Sequence, residues 1–126
     1  MQARLRLRRR ADFARVRAEG KSWRHRLVIL SVAPCGDCAG GGSNRYGIIT
    51  SRRIGKAVKR NRAKRLLREV LRQNHPYIHP GYDIVLIARA AIVGRKFAEV
   101  NDAVQSLLKQ AGLLALPDEQ DAEETT

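Results

Sequence analysis

Between Arg52 and Arg72 the chain carries ten basic residues and a single acidic one, Glu69. Few folds tolerate such a run. Solvated helices usually mix signs, because opposite charges four residues apart stabilise a helix and like charges repel by similar tenths of a kcal/mol. Here Lys64–Arg68 and Arg68–Arg72 are like pairs, and Arg65 has only Glu69 to offset it. On a helical wheel Ala63, Leu66, Leu67 and Val70 share one side, while Asn61, Lys64, Arg65, Arg68 and Arg72 share the other. Arg62 falls on a flank nearer the apolar boundary. One stripe is therefore expected to enter a core, with a cationic stripe opposite. A merely solvated charged face is one reading and a seat for a polyanion is the other; the like-charge spacing favours the second.

The residue types sharpen that expectation. Arginine outnumbers lysine in the run, and its planar fork can bridge two phosphate oxygens or stack on a base. Asn61 adds an amide that both donates and accepts, which suits ribose hydroxyls or base edges. Gly55 just ahead of the helix lets an anion approach the free N–H groups of the first turn.

Charge along the rest of the chain points the same way. The 126 residues carry a formal net charge of +13; residues 1–80 hold +17, residues 81–116 hold +1 and the last ten hold −5. A domain so charged repels itself unless a polyanion is its normal partner. Nucleic acid fits better than an anionic membrane, since the charges do not form one amphipathic surface helix backed by Trp and Phe. No apolar run approaches the roughly 18 residues a membrane span needs. No secretion signal is evident, two cysteines cannot build a disulfide framework, and a reducing cytoplasm is the expected compartment.

Residues 10–19 read as a short helix stopped by Gly20, with Phe13 and Val16 one turn apart. Residues 26–33 read as a buried strand ended by Pro34, 35–44 as a glycine-rich loop, and 45–51 as the return strand. The basic helix runs from beyond Gly55 to about Gln73, and Asn74, His75 and Pro76 end it. A turn at Pro80-Gly81 leads to a buried strand over 82–88. A last helix from about Lys96 to Gln110 places Phe97, Val100, Val104, Leu107 and Leu108 at core spacing. With a short extra strand near Lys21–Trp23 the order becomes αβββαβα. That predicts an α+β sandwich, with helices packed on a small mixed sheet. Residues 1–116 are expected to form a single nucleic-acid-binding domain, with a basic N-terminal extension over 1–9. The acidic stretch 117–126 is too polar to fold.

The stretch Ile54-Gly-Lys-Ala-Val-Lys-Arg-Asn-Arg-Ala-Lys-Arg-Leu-Leu-Arg-Glu69 resembles the signature of the bacterial ribonuclease P protein subunit, with its central Arg-Asn-Arg. Around it, Tyr46-Gly-Ile-Ile-Thr-Ser-Arg-Arg is similar to the strand leading into that signature. Gly81-Tyr-Asp-Ile-Val-Leu-Ile-Ala-Arg89 is similar to the strand after it. Leu7-Arg-Arg-Arg-Ala-Asp-Phe-Ala-Arg-Val16, then Gly20-Lys-Ser22, resembles the family's opening helix and its exit. The likeness covers residues 4–112.

The resemblance implies an α/β sandwich with a left-handed βαβ crossover, as in one domain of a small-subunit ribosomal protein. It implies a protein that binds the ribonuclease P catalytic RNA and precursor tRNA, in a holoenzyme that removes the 5′ leader. The chemistry belongs to the RNA and to Mg²⁺ held mainly by that RNA. No catalytic side chain and no metal ligand is expected on the protein, and neither a membrane nor DNA as partner. Carried over by position, Arg52, Arg53, Lys56, Lys59, Arg60, Asn61, Arg62, Lys64, Arg65, Arg68 and Arg72 would face the catalytic RNA. Phe13, Arg17, Leu30 and Arg89 would line a leader cleft between the first helix and the sheet. Arg17 stands where many relatives have a second aromatic, and Leu30 stands at a sheet position where an aromatic is frequent. Leader binding would then rest less on stacking and more on charge and cation–π contacts. A structural RNA-binding protein of ribosomal type, with no processing role, is the alternative.

Other features carry less. Cys35-Gly-Asp-Cys38 lacks the second pair that a zinc site needs and reads as incidental thiols in a loop insertion. His75 and His79 read as ordinary surface histidines. Trp23 could stack on RNA or cover a sheet edge.

Overall fold

The computed structural model describes residues 6–7, 10–35 and 44–114. The expected basic extension over 1–9 (apart from residues 6 and 7), the interior of the 35–44 loop and the acidic stretch 117–126 lie outside the described residues. Helix α1 spans Arg10–Glu19, and strands β1, β2 and β3 span Lys21–Arg24, Val28–Pro34 and Arg45–Ile49. Helix α2 covers Ala57–Asn74, strand β4 Tyr82–Ala88 and helix α3 Phe97–Gln110, so the αβββαβα order holds. Short 3₁₀ turns at Arg52–Ile54, His75–Tyr77 and Ala90–Ile92 join them. Among the described residues no helix is long and apolar enough to cross a membrane.

The sheet runs β1-β2-β4-β3. β1 and β4 flank β2 antiparallel, while β3 lies parallel to β4. Joining parallel neighbours requires a crossover, and α2 supplies it. Side chains alternate across the sheet. Val28, Leu30, Val32, Tyr46, Ile84, Leu86 and Ala88 face α2 and α3, where Leu67, Val70, Leu71, Val100, Val104, Leu107 and Leu108 complete the main core. Each such side chain contributes about 1.5–3 kcal/mol on burial. A like-charge pair on the outside of α2 costs only tenths. The core therefore wins, and the helix keeps its cationic face.

Among the described residues the other sheet face is covered by α1, with Leu7 beside it. Val16, Ala33, Val85 and Leu7 close a small second core there, with Phe13, Ile49 and Ile87 half-buried at its margin. Gly20 permits the tight exit from α1, because a Cβ on it would collide with the carbonyls of Val16 and Val32. Gly47 leaves room for the Phe13 ring in the same way.

A buried carboxylate fastens α1 in place. Asp83 on β4 is fully buried and accepts from Arg45 on β3 at 2.9 and 2.8 Å, and from Arg15 of α1 as well. Arg15 also donates to the Pro34 carbonyl at 3.1 Å. On the opposite side, Asn74 donates to the Val70 carbonyl and to Asn101, and accepts from Gln105, locking α2 to α3. Residues 6 and 7 extend the sheet past β3: the Leu7 N–H donates to the Tyr46 carbonyl at 2.7 Å, and Arg6 pairs in parallel with Tyr46.

Two expectations are corrected. His75 is half-buried rather than a surface histidine, because its Nδ1 lies 2.6 Å from the Tyr46 hydroxyl. Burial pushes that hydroxyl up to about 12, so Tyr46 stays neutral at any working pH. Cys35 is disulfide-bonded rather than an incidental thiol. Cys38 lies outside the described residues.

Removing one partner of a buried ion pair strands the other, at about 3–5 kcal/mol. Asp83→Ala is expected to destabilise the fold by that order, with α1 released from the sheet. A denaturant midpoint equal to that of the parent protein would show that Arg15 and Arg45 need no counter-charge.

Candidate nucleic-acid interface

α2 starts from a turn that only glycine accepts readily, Gly55 with φ +128°. Lys56 is its N-cap, with no side-chain hydrogen bond, and no acidic residue lies in its first turn. The first-turn amides thus point outward without a side-chain cap, in the midst of Arg52, Arg53, Lys56 and Lys59, all exposed. Further along, Asn61, Arg62, Arg65 and Arg72 are exposed and Arg60 is half-buried. Glu69 does not offset Arg65. It accepts from Arg72 Nε at 3.0 Å and from Gln73 at 3.1 Å. The Arg72 guanidinium first, and Gln73 after it, hold the Glu69 carboxyl down at about 2.

The cations of α2 do not share one stripe, which corrects the wheel reading. Lys64 and Arg68 are half-buried on the flank toward β3. There they line a hollow of about 360 Å³ with Arg6, Phe13, Gly47 and Ile48. On the opposite flank Lys59 and Arg62 meet Ile92, Val93 and Arg95 around a smaller hollow of about 130 Å³. Arg65 and Arg72 are exposed and line neither hollow. The cations of α2 thus fall into three groups.

The sheet face beyond α1 is the second surface. Ile29, Ile49 and Ile87 are half-buried there, and Phe13 stands at the edge under the cover of α1. A hollow of about 470 Å³ continues past them, lined by Ile29, Ile87, Ser51, Arg26, Arg53 and Arg89 among others. Arg89 is exposed and tethered at 3.3 Å to the His25 carbonyl. The surface therefore has an aliphatic floor and an arginine rim.

Of the residues assigned to a leader cleft, Phe13 and Arg89 border this face, and Arg17 is exposed on α1. Leu30 does not border it. Its exposure is 0%, and it faces α2 and α3 in the main core, so no ligand can reach it. The neighbouring Ile29 takes the position on the open face, since adjacent strand residues point oppositely. Arg26 and Ser51 were not expected at all, and Arg53, expected to face the catalytic RNA, stands beside Arg89. Trp23 is half-buried against the main core and covers the sheet at its β1 edge.

No site for a resident cation accompanies these surfaces among the described residues: no group of three or more His, Cys, Asp or Glu could hold a metal ion. The carboxylates of Asp83, Glu69 and Glu99 are each engaged by arginine.

Comparison with known proteins converges on one family. The family model described as Ribonuclease P matches residues 1–112. A ribonuclease P protein component from Herpetosiphon aurantiacus is 42% identical over 113 residues, spanning 90% of this chain and 89% of its own length. One from Clostridium kluyveri is 40% identical over 110 residues, with coverage of 86% and 95%. Among solved structures, the RNase P protein of Staphylococcus aureus superposes with a TM-score of 0.78 at 27% identity, over 88% of this chain and 98% of that one. That of Thermotoga maritima gives 0.73 at 35% identity, over 83% and 96%.

Arg65 is exposed, and the Glu69 carboxylate is taken up by Arg72 and Gln73, so Arg65 gives a direct test of polyanion contact. Removing one cation that neutralises a phosphate takes about 0.7–0.9 from the slope of log affinity against log salt. Arg65→Ala is expected to flatten the slope for RNA by that amount without moving the melting temperature. An unchanged slope takes Arg65 off the phosphate backbone.

Proposed function

The chain belongs to the ribonuclease P protein family, whose members are subunits of an endoribonuclease, and from that premise we propose a division of labour over its surface. The outward face of α2, with Arg60, Asn61, Arg62, Arg65 and Arg72, docks on the folded catalytic RNA, joined by Arg52, Lys56 and Lys59 at the helix start. The open sheet face receives the single-stranded 5′ leader of precursor tRNA. Phe13 offers one ring for stacking, and Arg17, Arg26, Arg53 and Arg89 supply charge. Residues 1–116 act as one RNA-binding domain.

The observation that carries this reading is the half of the sheet that no described element covers. α1 shields one end of that face only, and what remains is a half-buried aliphatic floor under three arginines. A duplex presents its phosphates on a convex surface and suits the exposed helix. An unpaired strand can lay bases on an apolar floor while its phosphates reach the rim.

Cleavage itself is assigned to the RNA and its Mg²⁺, as the family resemblance implies. The protein's contribution is electrostatic and positional. Lysine and arginine replace counter-ions where the two RNAs approach each other, which lowers the divalent ion concentration needed to hold them together.

Two measurements test this. Added to its cognate catalytic RNA at low Mg²⁺, the protein is expected to restore leader removal, and alone to cleave nothing. Failure to rescue would favour a purely structural RNA-binding role. Phe13→Ala is expected to weaken binding of leader-bearing precursor by the about 1–3 kcal/mol of one stacked base, and to spare mature tRNA. Equal losses on both substrates would take Phe13 out of the leader path.

A further inference from the structure

The hollow at the outer edge of β3 differs in shape and chemistry from both surfaces above. Arg6 enters it from the short stretch added to β3, Lys64 and Arg68 from the flank of α2, and Phe13 from α1. Gly47 forms part of the wall, and a Cβ there would push the Phe13 ring out of position. None of the residues lining it is acidic. Its volume of about 360 Å³ falls at the small end of ordinary ligand pockets, about 300–1,000 Å³. Lys64 and Arg68 are recessed here, unlike the exposed Arg65 between them in sequence.

We infer that Arg6, Lys64 and Arg68 cradle the phosphate of one nucleotide of the single-stranded leader, whose base lies against Phe13. This rests on the leader-binding reading above and deepens it. Lys64 and Arg68 thereby leave the group that meets the catalytic RNA.

Shape decides between the two RNAs. The phosphates of a folded RNA helix lie on a broad convex wall and reach side chains that project. They do not enter a recess one nucleotide wide. A flexible strand can turn a single nucleotide into it, with phosphate toward the cations and base toward the ring. Continuity supports the same choice. Phe13 belongs both to this hollow and to the margin of the open sheet face, so a strand crossing that face past Ile49 and Ile87 arrives at Lys64 and Arg68.

The test uses the reconstituted holoenzyme and precursor tRNAs in which one leader linkage at a time is an uncharged methylphosphonate. With the parent protein, one linkage is expected to weaken precursor binding about tenfold when neutralised. With Lys64→Ala/Arg68→Ala, binding is weakened from the outset, and neutralising that same linkage costs less than about twofold. The double variant is expected to bind mature tRNA and catalytic RNA within about twofold of the parent, whereas Arg65→Ala weakens catalytic-RNA binding. Lys64→Gln with Arg68→Gln repeats the comparison with the stems retained, and thermal melting confirms folding. If the double variant instead loses catalytic RNA as Arg65→Ala does, with every leader linkage still costing what it costs the parent, the cradle is overturned and the leader reading stands. If no leader linkage and no Phe13 substitution affects the parent complex, the leader reading falls first.

Discussion

Asp83 is the constraint on which the second face of the sheet depends. A carboxylate removed from water costs several kcal/mol unless its partners are close and well aimed. Here it has a bidentate arginine from β3 and another from α1. Because the partners come from different elements, the ion pair fixes a position as well as neutralising a charge. α1 has only ten residues and buries only Val16 fully, so apolar contact alone would hold it weakly. Anchored at Arg15, the helix covers one end of that face, and no other described element covers the rest. The same anchor sets Phe13, two residues before Arg15, over Gly47 on the border between the sheet face and the β3 hollow. Two of the chain's many arginines thus serve the fold, and their work is what leaves a surface for the others.

On α2 the problem is reversed. Among the described residues its cations lack acidic partners, apart from Arg72 with Glu69, so their mutual repulsion is largely unrelieved at the helix surface. The compensation is internal: Ala63, Leu67, Val70 and Leu71 in the main core, and the Asn74 amide held by Val70, Asn101 and Gln105. A buried amide so engaged is stabilising and also specific, since α3 must sit at one register to supply Asn101 and Gln105. The free energy of the fold thus resides on the inner side of α2, leaving its outer side available for charge that favours binding over stability.

What could be read from the chain follows from which patterns are local. α2, β4 and α3 were legible because helical and strand periodicities are written in consecutive residues, and β4 runs over 82–88 as expected. Even the short β1 was visible. The sides of the sheet were not. Val28 to Ala33 is apolar but for Ser31 and shows no alternation, because helices cover one face and α1 part of the other. Nothing local therefore distinguishes Leu30, which is buried, from Ile29, which borders the open face. The helical wheel failed in a related way. It sorts residues by angle from the core stripe but cannot know that β3 and residues 6–7 rise beside one flank, enclosing Lys64 and Arg68. Arg26 and Arg6 carried no signal beyond being basic, since pairing between distant segments brings them to their sites. His75 needed Tyr46, twenty-nine residues away, to become anything but a surface histidine.

The aliphatic floor has a consequence for specificity. Stacking on an aromatic ring and contact with isoleucine both accept any base, but stacking is the stronger, at about 1–3 kcal/mol per base. With Phe13 as the one aromatic bordering the open face among the described residues, most of the remaining affinity must come from arginine and phosphate. That term is indifferent to sequence and falls steeply with salt. Discrimination between leaders must then arise where a base is confined, and confinement requires walls. The floor formed by the neighbouring Ile29, Ile87 and Ile49 provides none, whereas the β3 hollow, with Phe13 on one side and α2 on another, is a recess of about 360 Å³. On the proposed leader path, affinity and selectivity are therefore separated in space: the wide, charged, permissive surface would hold the strand, and the narrow recess beside it would be where, among the described residues, the identity of a base matters.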